Sequence, residues 1–95
     1  MLGKVKQALR ITHNALDDEI DDLIEAARHD LKLSGVSSVK TDAESNIDPL
    51  IARAIVTYCK ANFGFDNPDA DRLNNSYVML KQHLSLSGDY KEAPL

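Results

Sequence analysis

The sequence predicts an all-α fold: a small bundle of about four helices, the third of them central and mostly buried. Three observations carry that prediction. Apolar residues recur at spacings of three and four in separate segments. Strand signals are weak, since "SGVSSVKT" (34–41) has β-branched character but is short and rich in serine. Residues that start and stop helices flank the periodic segments.

Leu2, Val5 and Leu9 predict a first helix over about residues 2–10. A helix that short does not hold alone in water and must dock on something. "ITHN" breaks the period, and Thr12 or Asn14 is placed to cap the next helix. The second helix is expected from about Leu16 to Leu33. On a helical wheel Leu16, Ile20, Leu23, Ile24, Ala27 and Leu31 fall in one stripe about 100° wide. Gly35 stands where a left-handed C-terminal cap belongs. Residues 36–47 read as a polar connection.

In "ESNIDP", Asp48 is a good N-cap and Pro49 suits the first helical position, where an N–H would have no partner. The third helix is expected to reach about Phe63, with Gly64 ending it. Its apolar residues, from Leu50 and Ile51 through Val56, Tyr58, Cys59 and Phe63, cover most of the circumference and leave Arg53, Thr57 and Lys60 as a polar strip. A helix apolar on so many sides is either the centre of the domain or partly covered by another subunit. "GFDNPDAD" (64–71) is a turn-rich joint, with Asp66 or Asn67 ahead of Pro68 as a further helix start. The fourth helix runs to about Leu84 with Leu73, Tyr77, Leu80 and Leu84 on one face. Val78 and Met79 lie off that face, as scattered surface apolars or as a second contact. "SLSGDYKEAPL" reads as an extended or mobile tail. The expected organisation is one helical domain over 1–84 and a C-terminal tail over 85–95.

The chain has 95 residues, 43% of them hydrophobic, which suits one domain with one modest core. No apolar run approaches the roughly 20 residues that span a bilayer, so no membrane partner is expected. "MLGKVKQALRIT" has no apolar stretch behind its basic residues and does not read as a secretory signal. The single cysteine, Cys59, cannot form an internal disulfide and reads as a packed thiol in an apolar helix.

The formal charge is −4, and it is segmented. Residues 1–12 carry Lys4, Lys6 and Arg10 without an acid. Residues 13–35 hold seven acids against Arg28 and Lys32. Residues 49–64 hold Arg53 and Lys60 without an acid. A net acidic balance argues against a stand-alone nucleic-acid binder, which usually needs a basic face. Alternating basic and acidic segments suit contact between copies of one protein, where unlike patches attract.

The acids concentrate in "DDEIDDLIEAARHD" (17–30). Asp18, Asp22, Glu25 and His29 fall within about 60° of one another, opposite the apolar stripe. A carboxylate and a histidine four apart on a helix can share an ion. One helix seldom closes a metal site, however, and the Glu-x-x-His spacing of dinuclear helical bundles is missing. Catalytic carboxylates need a cleft that shifts their pKa, and acids on the outer face of an amphipathic helix are hydrated. No nucleophile elbow or phosphate-cradling glycine loop is present. No catalytic residue, metal or cofactor is therefore expected. Asp17, Asp18 and Glu19 benefit from the helix's positive end, but the deeper pairs Asp18–Asp22 and Asp21–Glu25 repel. A basic surface facing them would offset that repulsion. The expected subunit interface accordingly sets Asp18, Asp22 and Glu25 of one copy against Lys4, Lys6 and Arg10, or Arg53 and Lys60, of the next. Two different patches in contact make a heterologous interface, which closes into a ring when its rotation permits.

"VKQALRITHNALDDEIDDLIEAARHDL", followed after a polar gap by "DPLIARAIVTYCKANFG", resembles the small helical head–tail connector proteins of tailed bacteriophages and prophages, also described as DNA-packaging or head-completion proteins. The resemblance rests on an opening Val5, Lys6, Leu9, Arg10, Ile11; an acidic start to a long helix; a core of Leu23, Ile24, Ala26 and Ala27; and a later helix from Pro49 to an aromatic, Tyr58. It covers roughly residues 2–64, and the remainder resembles the subgroup from phages of Gram-positive hosts. Many relatives end the central helix in a Tyr-x-x-Arg-like pattern, where this chain has Lys60 and an aromatic pair. The resemblance implies a homo-oligomeric ring beneath the portal protein, at the head–tail junction of the virion, assembled in the host cytoplasm. DNA would pass through it with only transient, non-specific contact, and a stopper or tail-completion protein would dock on it. No reaction is implied. Phe65 and Asp66 in the joint, and Tyr90 and Lys91 in the tail, are the candidate contacts for the portal or stopper. The other reading is a small helical DNA-binding or regulatory protein, suggested by the helix-turn-helix pitch of "LRITHNALDDEI". It places acids where a recognition helix wants Arg, Lys, Asn or Gln.

Overall fold

The computed structural model describes residues 1–64 and 66–91. Its helices are α1 (Leu2–Leu9), α2 (Asp17–Leu33), a single turn α3 (Ser38–Thr41), α4 (Pro49–Asn62) and α5 (Ala70–Leu86), followed by a 3₁₀ turn at Gly88–Tyr90. The fold is all-α, as the periodicity requires. The connection over 36–47 is not wholly irregular, because α3 sits within it.

The long helices α2 and α5 pack on α4, and α1 closes over α2 and α4. The core takes Val5 from α1; Ile20, Ile24, Ala27 and Leu31 from α2; Ile51, Ala54, Ile55 and Cys59 from α4; and Tyr77 and Leu84 from α5. Burying an Ile or Leu fully is worth about 1.5–3 kcal/mol, which is what holds helices too short to stand alone. Tyr58 and Tyr77 meet edge to face at 5.1 Å between ring centroids, joining α4 to α5.

α4 touches α1, α2 and α5, but its burial is narrower than its apolar circumference suggests. Ile51, Ala54, Ile55 and Cys59 are buried, whereas Leu50 is exposed and Ala52, Val56 and Tyr58 are only partly covered. The domain measures 42 × 27 × 18 Å. Its thinnest dimension is under two helix diameters of about 10–12 Å, so no helix can be enclosed on every side.

The helix ends follow the sequence in two places and depart from it in three. Asp48 caps α4, its carboxylate accepting from the N–H groups of Leu50 at 2.9 Å and Ile51 at 3.4 Å, with Pro49 at the first position. Gly35 adopts φ 96° after α2. The N-cap of α2, however, is Leu16, with no side-chain cap; Thr12 and Asn14 do not serve, and Asn14 instead accepts from Lys6 at 2.9 Å. Three acids in the first turn still complement the helix's positive end. The joint before α5 runs two residues longer than Pro68 suggested. Asn67 accepts from the Asp69 N–H at 3.0 Å and donates to the Lys60 carbonyl at 2.7 Å, and the helix begins only at Ala70.

The largest departure is at the C-terminal end. α5 continues to Leu86, and the next residues fold back instead of extending. The Ser37 N–H donates to the Tyr90 carbonyl at 2.7 Å, Val36 and Lys91 form an isolated antiparallel bridge, and the Tyr90 hydroxyl reaches the Asp48 carboxylate at 2.9–3.0 Å. A tyrosine 42 positions from its partner leaves no periodic mark in the sequence.

Candidate functional site

The question for this surface is which charges are satisfied inside the chain and which are left over. Lys6 pairs with Asp17 at 2.8 Å, pinning α1 to the start of α2. Arg28, only 5% exposed, donates to Glu25 at 2.9 Å, to Glu44 at 3.3 Å and to the Ala43 carbonyl at 3.3 Å, holding the loop before α4 against α2. Lys32 takes Asp42, Lys40 approaches Asp48, and Lys81 takes Asp30. Arg72 lies 3.6 Å from Asp69, an exposed pair worth little.

Much of the remainder is segregated, with Arg10, Asp66, Asp71, Asp89 and Lys91 exposed elsewhere. Among the described residues, Asp18, Glu19, Asp21 and Asp22 are exposed and form no ion pair, and they occupy the first half of α2. Lys4, Arg53 and Lys60 are likewise exposed and unpaired, on α1 and α4. Two shallow grooves flank Arg53 and Val56. One, of about 520 Å³, lies between α4 and α5 and carries Lys60 and Arg72 on its edges over Val56, Leu73 and Leu80. The other, of about 330 Å³, lies between α1 and α4, with Lys4 over Ala8 and Ala52. No acid lines either groove. Met79, 70% exposed, stands on the wall of the larger one.

The interface candidates therefore divide. Lys4, Arg53 and Lys60 converge on one basic, apolar-floored surface. Asp18 and Asp22 share the outer face of α2. Lys6 and Glu25 are engaged within the chain, by Asp17 and Arg28. Arg10 is exposed at the end of α1, in the left-handed conformation with φ 59°. Of the candidate partner contacts, Asp66 and Lys91 are exposed, Tyr90 is tied to Asp48, and Phe65 lies outside the described residues. Glu25 and His29, four apart on α2, are both exposed. Among the described residues no group of three or more His, Cys, Asp or Glu side chains is placed to hold a metal ion, and no helix is long and apolar enough to cross a membrane.

A model of the phage connector protein family matches residues 1–91. The chain belongs to that family. No curated protein and no solved structure matches it. This connector accordingly has a structural role in the phage particle, at the head–tail junction, in association with other head and tail proteins.

Two features of the connector that sequence reasoning missed are now visible. Arg28 was counted among the cations opposing the acidic stretch, yet it is buried and turned toward the following loop. Arg72 joins the basic groove from α5, across the chain from Lys60. Only the three-residue offset from Asp69 hinted at its partner, and nothing hinted at the groove.

Proposed function

We propose that this connector assembles as a ring beneath the portal protein, that DNA passes through the ring without being held, and that subunits meet through unlike charged surfaces. The single observation that carries the reading is the segregation of leftover charge on a member of the connector family. Four of the free acids gather on the first half of α2 and the free cations Lys4, Arg53 and Lys60 lie on α1 and α4, while Asp66, Asp71, Asp89 and Lys91 stand apart from both groups. A solvated surface with no partner gains nothing from that separation, whereas a heterologous contact repeated around an axis uses both patches in every subunit. The net charge of −4 suits a conduit, since extensive phosphate neutralisation would anchor DNA where it must slide. Asp66 and Lys91 are the surfaces proposed to meet the portal or the stopper protein, with Tyr90 holding the Lys91 segment in place. No catalytic step and no cofactor enter the reading.

Negative-stain images of the purified protein, alone and mixed with the portal protein of the same phage, test it. Rings, or portal particles lengthened by an added layer, are expected. Portal particles unchanged by excess connector sink the proposal.

A further inference from the structure

We infer that the basic, apolar-floored surface between α1, α4 and α5 is the receiving half of the subunit contact, and that its occupant is the acidic first half of α2 from a second copy of this chain. The inference rests on the assembly reading above and narrows it to one pair of surfaces.

Intrachain pairing first removes two of the candidate charges. Lys6 and Glu25 are already neutralised by Asp17 and Arg28. Arg10 stands outside both grooves. The cations left are Lys91, which belongs to the C-terminal segment, and Lys4, Arg53 and Lys60, joined by Arg72, whose pairing with Asp69 is long and exposed. These last four cations border the two grooves that share Arg53 and Val56; no carboxylate lines either groove, and Asp69 beside Arg72 stands outside them. On the negative side the free acids Asp18, Glu19, Asp21 and Asp22 project from less than two turns of one helix. A helix laid across a groove brings side chains at i and i+4 to the same edge, so Asp18 and Asp22 face one row of cations together. The repulsion between them, unexplained inside the subunit, is relieved there. The partly exposed Val56 and Leu80 and the exposed Met79 lose water under the incoming helix, adding apolar burial to the charge match.

The two surfaces lie on different elements, so each copy can give and receive at once. Two charge-reversed variants separate this from other occupants. Arg53→Glu with Lys60→Glu reverses the groove, and Asp18→Lys with Asp22→Lys reverses the helix. All four positions are exposed, and circular dichroism checks that each variant keeps its helices. Assembly is followed by light scattering and by layer formation on the portal protein. Each variant alone is expected to weaken assembly by about tenfold or more, and an equimolar mixture is expected to restore it, because every contact in an alternating ring is then of opposite sign. High salt should weaken the wild type. If the wild type assembles and both variants assemble as well as it does, or the mixture fails to recover, this pair of surfaces is wrong while the connector ring stands. If the wild type itself never assembles, alone or on the portal, both fall. Salt-sensitive binding of duplex DNA by the wild type, lost in the Arg53/Lys60 variant, would assign the groove to nucleic acid instead.

Discussion

The Tyr77 hydroxyl donates to Asp30 at 2.5 Å, across 47 positions of sequence, and so ties the middle of α5 to the end of α2. Lys81 adds a second contact to the same carboxylate oxygen at 3.0 Å, and its ammonium lies 5.4 Å from the Tyr77 ring centroid. Burial acts to raise the Asp30 pKa, but the bonds from Tyr77 and Lys81 outweigh it and hold the carboxyl below its ordinary range. Burial, reinforced by Asp30, pushes the Tyr77 hydroxyl well above its ordinary range.

The signs fix a pH window. A depressed carboxyl contributes stability above its unfolded value of about 3.9 and loses it as pH falls through the lower folded value. A raised phenol contributes below its unfolded value of about 10 and loses it as pH climbs through the higher folded one. Tyr77→Phe is expected to cost about 1–2 kcal/mol at neutral pH, since Asp30 keeps Lys81 and partial solvation. Urea titrations at pH 7 and pH 3 check this: the variant's deficit should shrink at the acid end. An equal deficit at both would dissociate the tie from Asp30 ionisation.

Asp48 serves two masters, the first amides of α4 and the Tyr90 hydroxyl. Asp48→Ala should cost about 1–2 kcal/mol for the lost cap alone, and further stability for the released C-terminal segment. Tyr90→Phe keeps the cap and should cost less. Its signature is local: the Ser37 amide, which donates to the Tyr90 carbonyl, should exchange with solvent faster, while amides in the middle of α4 stay protected. Uniform acceleration would mean that the Tyr90 segment is integral to the core.

Cys59 is fully buried, and burial alone raises its thiol to about 12. A neutral, enclosed thiol is a poor nucleophile. The folded protein should react with a thiol reagent at pH 8 only as fast as it opens, and the urea-unfolded chain immediately. A rapid native reaction would place Cys59 at a solvent-accessible gap between α4 and its neighbours.

Arg10 closes α1 in the left-handed region, a conformation costing a residue with a Cβ roughly 1 kcal/mol or more. Arg10→Gly should raise the midpoint of thermal unfolding, with the gain reduced by the extra freedom of glycine in the unfolded chain. A fall in the midpoint would show that the arginine side chain earns its place through contacts with a neighbour on the surface.

Several parts of this connector were legible from local rules. The stripe Ile20, Ile24, Ala27, Leu31 on α2, the Asp48–Pro49 start of α4 and the Gly35 stop each depend on residues within four positions of one another, and a sequence displays such spacings directly. The acidic and basic segments were legible too, but only as inventories. Which of their members were free was not, because Arg28 reaches Glu44 and Lys81 reaches Asp30 across 16 and 51 positions. The same distance hid the Tyr90 segment, whose turn residues looked like a tail until Asp48 and Ser37 came within bonding range.

The sequence by itself determined four helical segments, their apolar faces and a surplus of acid on one of them, since helix geometry converts spacing into faces. Only the tertiary structure decided which charges cancel, where the grooves open and that the last described residues return to the start of α4. Those outcomes depend on where helices cross, and crossing brings together atoms that the order of residues keeps far apart.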